Sequence, residues 1–312
     1  MNKIAFVVTI YPPHFHYFEK LKESFYRFNL DKQADLWLVF TTEEEKKLYG
    51  EYEKSIVIPE NEHVSKGQGL VIIKKFRALK ELAEQYKYII SIDAESVFVK
   101  ELNLNNLCEN YFQTGILYGN KIIEDGIDRA ENIKRECKKF FESHPNYEKL
   151  NTPLYLWFNQ LCIYDTDDLK QFFEIIDYAK FINKINFYTF DYYLYMYYLI
   201  LYRNFKIEDI EVKAFYGFLG ENERKNCIFY SQKYKNLKFN LCTSEIYHEL
   251  DQSEILLLCH LDRNGARLKS KLNDAKTRFW NPIKDFFNWL LLPVKILRYT
   301  IKLNHYKGKY KE

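Results

Sequence analysis

Apolar strand-like segments alternate with helix-like segments through the first half of the chain, and this alternation limits the possible folds. The predicted strands are Lys3–Ile10, Asp35–Thr41, Ser55–Ile58 and Tyr88–Ile92. The predicted helices between them are Phe15–Phe28, Glu43–Tyr49 and Leu70–Tyr86. Near-continuous apolar strands separated by helices are typical of an α/β fold with a mostly parallel sheet flanked by helices. Right-handed crossovers place the carboxyl ends of such strands along one edge, where ligands bind.

The second half of the chain is less regular but continues the same kind of fold. It predicts strands at Leu154–Tyr164, Asp209–Phe218 and Ile255–His260, and helices at Thr166–Tyr178 and Phe190–Tyr202. The sequence has no internal repeat and no linker rich in Pro, Gly or Ser before about residue 270. We therefore expect one α/β domain over residues 1–274 and a separate tail over residues 275–312.

Charge is unevenly distributed along the chain. Residues 275–312 contain nine Lys or Arg and two Asp or Glu, so the tail carries +7 and the remainder −4 of the net +3. An acidic body with a basic tail does not indicate a nucleic-acid binder, and it points to a local contact with an anionic surface. The cysteines lack zinc-finger or CxxC spacing, which suggests reduced thiols in a cytoplasmic protein. They are Cys108, Cys137, Cys162, Cys227, Cys242 and Cys259.

The predicted strand Tyr88–Ile92 leads directly into two carboxylates, Asp93 and Glu95. Its position places both at the ligand edge of the sheet, where two negative charges require compensation. Mg²⁺ or Mn²⁺ prefers such oxygen ligands and would neutralise a diphosphate. Other acidic-x-acidic pairs occur in the chain, so only the preceding apolar strand distinguishes this one. The alternative is a solvated turn in which Asp93 caps the next segment.

An apolar strand followed by Asp-Ala-Glu resembles the Asp-x-Asp signature of GT-A glycosyltransferases, which use nucleotide-sugar donors. The basic run Lys74–Lys80 is similar to the helix that precedes that signature. The resemblance implies that Lys74 and Arg77 face the nucleotide phosphates; the alternative is a solvated amphipathic face. It also implies that Thr9 and Tyr11 lie under the base; the alternative for Tyr11 is a turn residue before Pro12-Pro13. The last acid of the motif is Glu rather than Asp, which leaves the part that Glu95 plays in metal binding open.

Three later features follow in the order that the resemblance implies. Asn159 and Gln160, within the predicted strand Leu154–Tyr164, would contact the donor sugar, or they are structural amides. Asp191 begins a helix and would position or deprotonate the acceptor, although a first-turn carboxylate is also favoured by the helix dipole. His260 would complete the metal site, and Arg263 would reach the diphosphate.

The tail interleaves aromatic and apolar residues with lysines, and Pro293 must divide its helix. It has no apolar run of membrane-spanning length, so we expect an amphipathic helix in the headgroup region of a membrane. The alternative is a helix packed on the protein itself. Phe187–Tyr202 is also not a span, because it contains Asp191 and seven tyrosines.

The leading interpretation is a glycosyltransferase that moves a sugar from a nucleotide-diphosphate donor to a glycan acceptor, with Mn²⁺ or Mg²⁺ as cofactor. The family resemblance and the tail imply cell-surface polysaccharide or lipooligosaccharide synthesis, a lipid-linked acceptor and a peripheral place on the cytoplasmic membrane face. One alternative is a non-catalytic membrane-associated protein on a degenerate transferase fold. Another is a sugar nucleotidyltransferase, although Tyr11-Pro12-Pro13-His14 offers no glycine-rich phosphate loop.

Overall fold

The structure is a computed structural model that describes residues 3–63, 69–119, 127–156, 161–186, 188–209, 241–243, 257–259, 296–298 and 300–301. Met1–Cys259 forms one compact unit and His260–Glu312 a second. In the described part of the first unit, the strands are β1 Ile4–Thr9, β2 Ala34–Phe40, β3 Ser55–Val57, β4 Tyr88–Asp93, β5 Val97–Phe98, β6 Ile116–Gly119, β7 Cys162–Asp165, β8 Lys206–Asp209, β9 Leu241–Thr243 and β10 Leu257–Cys259. The α-helices are α1 Phe15–Arg27, α2 Glu43–Tyr49, α3 Gly69–Leu82, α4 Leu104–Thr114, α5 Ile127–Lys138, α6 Thr166–Ile176, α7 Tyr178–Lys184 and α8 Asp191–Tyr202.

A five-stranded sheet in the order β3-β2-β1-β4-β7 forms the centre of the first unit. Strand β1 pairs in parallel with β2 and β4, and β2 pairs in parallel with β3. Strand β7 closes the sheet antiparallel to β4. Two smaller sheets have the orders β5-β10-β9 and β6-β8. The prediction of an α/β fold with a mostly parallel sheet flanked by helices is confirmed.

The alternating side chains of β1 divide the interior into two cores, one on each face of the sheet. Ala5 and Val7 belong to a core shared with helices α3, α6 and α8. Ile4, Phe6 and Val8 belong to the opposite core, shared with α1 and α4. Strands buried on both faces explain the near-continuous apolar character of these segments in the sequence.

Helix α8 is buried around its whole circumference, with residues 191–201 all buried. A helix that is apolar on every side is stable only in the interior of a protein, and its tyrosines add polar ends that need partners. Tyr195 supplies one example, because its hydroxyl accepts a bond from the Asp165 backbone N–H at 3.0 Å and donates to Asp168 at 3.3 Å. These bonds tie α8 to the end of β7 and the start of α6.

The structure corrects several predicted bounds in the second half of the chain. The predicted strand Leu154–Tyr164 is wrong in its start, because the sheet strand is Cys162–Asp165. The predicted helix Thr166–Tyr178 is interrupted at Asp177, whose φ of 48° is left-handed. The Asp177 side chain then accepts a hydrogen bond from the Lys180 backbone N–H at 3.4 Å and so caps α7. Of the predicted strand Asp209–Phe218, residues 210–218 lie outside the described residues.

The described residues of the second unit, 296–298 and 300–301, are helical. Leu297 and Ile301 are exposed there. Searching the described residues gives no helix with the length and apolar character needed to cross a bilayer. The predicted boundary between residues 274 and 275 lies outside the described residues and stays a prediction.

Candidate functional site

The carboxyl ends of β1, β2 and β4 meet at one edge of the central sheet. Thr9, the last residue of β1, pairs in register with Asp93 at the end of β4 on one side and with Val39 of β2 on the other. Thr9 is buried, whereas the Asp93 side chain keeps 30% of its surface exposed. The sequence-based placement of Asp93 at this edge therefore agrees with the pairing of the strands.

Asp93 has a cationic partner from helix α3. The ammonium nitrogen of Lys75 lies 3.5 Å from Oδ1 of Asp93, and only 12% of the Lys75 side chain is exposed. A lysine this deep is costly to bury unless carboxylates compensate its charge. Lys75 is therefore held at the sheet edge by electrostatic attraction.

Asp191 contributes to the same cluster of charges. Burial lowers the pKa of Lys75, but attraction to Asp191 and then to Asp93 outweighs this effect, so the pKa lies above its ordinary value. Burial, followed by repulsion from Asp191, raises the pKa of the Cys162 thiol, and Lys75 opposes that rise. Lys75 thus forms its ion pair with Asp93 at the end of β4 and interacts electrostatically with Asp191 at the start of α8.

The Asp191 carboxylate is 1% exposed and only half satisfied. Tyr164 of β7 donates a hydrogen bond to Oδ2 at 2.6 Å. Oδ1 is buried and has no hydrogen-bond partner among the described residues. Burial, followed by the charge of Asp191, raises the pKa of Tyr164, so the hydroxyl keeps its proton and remains a donor. A buried carboxylate oxygen without a donor is rare, and it marks a position where a ligand group or water would be stabilised.

Glu95, the second carboxylate of the motif, contacts the segment that follows β1. Its Oε2 lies 3.1 Å from Nδ1 of His14, and Nε2 of His14 lies 2.6 Å from the Tyr11 hydroxyl. Burial, followed by the charge of Glu95, raises the pKa of Tyr11. Tyr11 is 40% exposed, with its ring 4.0 Å from the imidazole between centroids. Stacking of Tyr11 on a nucleotide base stays a prediction.

Lys74 and Arg77, the basic residues expected to face phosphates, have protein partners in the structure, and their contact with phosphates stays a prediction. Lys74 is buried, and its ammonium donates to the Ile10 carbonyl at 2.6 Å and lies 3.5 Å from Glu45. Burial lowers the pKa of Lys74, and Glu45 partly opposes this. Arg77 pairs with Glu62 at 3.2 Å and with Glu81 at 2.5 Å. Lys75, between them in sequence, is the residue that reaches Asp93.

Of the residues expected to bind the metal, the structure describes Asp93 and Glu95 but not His260. The described residues contain no group of three or more His, Cys, Asp or Glu side chains able to hold a metal ion. Asp93 offers a half-buried carboxylate, whereas Glu95 is turned to His14. Asn159, Gln160, His260 and Arg263 lie outside the described residues. The described side chains alone do not form a cation site, and Mn²⁺ or Mg²⁺ stays a prediction.

Sequence reasoning missed three residues that contact the predicted carboxylates: Lys75, His14 and Tyr164. Tyr164 pairs with Ile89 near the start of β4, and only its hydroxyl reaches Asp191. Lys75 stood in the basic run, but the rotation of α3 that selects it over its neighbours was unknown. Tyr164 lies in an apolar strand, and the sequence gives no sign that its hydroxyl has a polar partner. His14 could have been found from its position, because it follows the first strand and the two prolines Pro12 and Pro13.

No family model and no curated protein matches the sequence. Among solved structures, the chain is similar to TarS of S. aureus, with 16% identity and a TM-score of 0.37 over 79% of this chain and 41% of that one. It is also similar to the mannosyltransferase Ktr4p of S. cerevisiae, with 12% identity and a TM-score of 0.35 over 59% of this chain and 62% of that one. The chain thus spans less than two thirds of either protein. Likenesses this weak do not identify a family or an activity.

Proposed function

We propose that the chain is a glycosyltransferase that takes a sugar from a nucleotide-diphosphate donor. The observation that carries this proposal is the pairing of Lys75 with Asp93, at 3.5 Å, where β4 and β1 end side by side. In α/β sheets this edge is the usual place for ligands. The likeness of the strand and Asp-Ala-Glu to the Asp-x-Asp signature gives the donor class.

Sugar transfer breaks the bond between the anomeric carbon and a diphosphate oxygen, so negative charge develops on the leaving diphosphate. Asp93 alone would repel that charge, and a cation has to lie between them. Lys75 is a fixed cation beside Asp93, and the ordering of its ammonium requires little reorganisation during the reaction. Lys75 would hold the diphosphate, while Asp93 and Asp191 hold Lys75.

The part that Asp191 plays depends on access. A carboxylate that deprotonates an acceptor hydroxyl must reach it, and Asp191 is 1% exposed. Among the described residues, Asp191 acts on Lys75 electrostatically and raises its pKa. Contact between its unpartnered Oδ1 and an acceptor hydroxyl stays a prediction.

The acceptor class and the setting form the finer part of the proposal. A glycan acceptor, lipid-linked in cell-surface polysaccharide or lipooligosaccharide synthesis, would suit a protein that associates with the cytoplasmic membrane face. The exposed Leu297 and Ile301 are four residues apart on a helix and so share one face. An apolar pair within the basic tail is consistent with contact to an anionic membrane surface.

The test is calorimetric titration with uridine, guanosine, adenosine and thymidine diphosphates, with and without Mn²⁺, followed by hydrolysis of the corresponding sugar donors. We expect one diphosphate to bind and Asp93→Asn to abolish any metal-dependent part of that binding. Asp167→Asn is the matched control, because Asp167 follows β7 at the opposite edge of the sheet, where it pairs with Lys87.

The same titration separates the alternatives. Tighter binding of a nucleoside triphosphate than of any diphosphate would favour a sugar nucleotidyltransferase. Absence of nucleotide binding in the folded wild-type chain would contradict a transferase and favour a non-catalytic protein. Equal binding by Asp93→Asn and wild type, with and without Mn²⁺, would show that the donor does not use the Asp93 edge.

A further inference from the structure

A cleft lies beside helix α5. Its volume is about 680 Å³, within the range of small-molecule sites. Four basic and two acidic side chains line it together with Tyr147, Asn151 and Thr152. The charged lining residues are Lys134, Arg135, Lys138, Lys139, Glu131 and Glu142.

Two of these lysines are held in place by neutral groups. Lys134 donates to the Thr152 carbonyl at 2.8 Å, with its ammonium 4.6 Å from the centre of the Tyr155 ring. Lys138 donates to Oδ1 of Asn151 and lies 5.2 Å from the centre of the Tyr147 ring. Among the described residues, neither lysine forms an ion pair with a carboxylate. Both ammonium groups therefore bond to neutral acceptors and have no carboxylate within ion-pair distance among the described residues.

The surroundings of Lys134 would favour a bound anion. Burial lowers the pKa of Lys134, Glu131 partly opposes that effect, and the positive charge of Lys138 adds to it. Glu131 is itself engaged, since the Tyr155 hydroxyl donates to it. Lys134 and Lys138 are one helical turn apart, which lets one anionic group lie between them.

We propose that this cleft binds a short acidic oligosaccharide through its carboxylate or phosphate groups. Tyr147, Asn151 and Thr152 add the ring face and the hydrogen-bonding groups that suit a sugar. Residues 1–274 carry a net charge of −4, which disfavours binding of a long polyanion such as a duplex. This proposal does not depend on the proposed transferase activity, because it requires binding alone.

The probe is trigalacturonate, with neutral maltotriose as its uncharged counterpart, titrated into the full chain by calorimetry. We expect trigalacturonate to bind, to weaken as NaCl is raised, and to bind about tenfold or more tightly than maltotriose. Lys134→Gln with Lys138→Gln should weaken trigalacturonate binding about tenfold or more, since each lysine gives a charged hydrogen bond. Lys134→Arg with Lys138→Arg keeps both charges and should retain binding.

The matched control is Lys22→Gln with Lys180→Gln, which removes the same charge from lysines paired with Glu19 and Asp177. If the cleft variant fails to fold, Arg135→Gln with Lys139→Gln removes charge from the same lining at more exposed positions. No binding of trigalacturonate, equal binding of maltotriose, or equal loss in control and cleft variants would overturn the proposal. Nucleotide binding in these variants should be unchanged, which separates this test from that of the donor site.

Discussion

At the scale of single residues, Tyr164 has the clearest structural role. Its hydroxyl is the described donor to the buried carboxylate of Asp191, at 2.6 Å. Asp191 in turn raises the pKa of Lys75, so this hydroxyl supports the carboxylate that acts on Lys75. The loss of such a bond leaves a buried charge without its donor.

Tyr164→Phe should therefore lower the free energy of unfolding by about 1–3 kcal/mol, because Phe fills the same space without donating. Urea denaturation followed by circular dichroism measures this change. Tyr26→Phe is the control, since Tyr26 is 53% exposed. Equal, near-zero effects of the two substitutions would contradict the assigned role of Tyr164.

Single residues were also where sequence reasoning reached its limit. The position of Asp93 followed from the strand before it, because parallel strands end at one edge. The selection of Lys75 rather than Lys74 or Arg77 required the rotation of α3, which a run of adjacent basic residues does not reveal. Similarly, the contact of Glu95 with His14 depends on the path of the chain after β1.

At the scale of elements, helix α2 has the same bounds as predicted, and its first turn explains why. Thr42 accepts a hydrogen bond from the Glu45 backbone N–H at 3.2 Å, and Glu45 accepts one from the Thr41 backbone N–H at 2.7 Å. Ser or Thr followed three residues later by Glu is a helix-capping motif that can be recognised from the sequence alone. Glu45 also lies near Lys74, which joins this helix to the end of β1.

Thr42→Ala should cost about 1 kcal/mol of unfolding free energy, because the first turn of α2 loses its acceptor. Thr42→Ser keeps the hydroxyl and should remain within about 0.3 kcal/mol of wild type. Chemical denaturation of the three proteins measures both values. A Ser variant as unstable as the Ala variant would mean that the methyl group, not the cap, stabilises this helix.

Other elements could not be predicted from local pattern. Helix α5 is mostly charged and polar, so its sequence lacks a wide apolar stripe. The apolar run that begins at Leu154 does not show where the strand starts, and the structure places β7 at its end. The antiparallel direction of β7 depends on tertiary contacts that strand composition does not encode.

At the scale of the whole molecule, the central sheet has two chemically similar edges. Lys75 pairs with Asp93 where β1 and β4 end, while Lys87 pairs with Asp165 where β4 begins and β7 ends. The parallel fold was predictable from the alternating strands and helices. It distinguishes the two edges, because ligands bind where the parallel strands end. The pair at the opposite edge therefore supplies an internal control for Lys75 and Asp93.

The second unit carries its own prediction. Leu297→Ser with Ile301→Ser should reduce binding to vesicles that contain phosphatidylserine by about tenfold or more, because two exposed apolar side chains are lost. Vesicle sedimentation measures the bound fraction. Leu48→Ser is the control, as Leu48 is 69% exposed in the first unit. Unchanged binding by the double variant would contradict membrane contact through this helix.

The most direct test of the account compares Lys75→Gln with Lys87→Gln in calorimetric titration of the nucleoside diphosphate that the wild type binds. We predict that Lys75→Gln weakens binding by about tenfold to a hundredfold, as expected for the loss of a charged hydrogen bond to phosphate. Lys87→Gln, at the opposite edge, should bind like the wild type. Equal affinity of the folded Lys75→Gln and Lys87→Gln proteins would contradict a donor site built on Lys75 and Asp93.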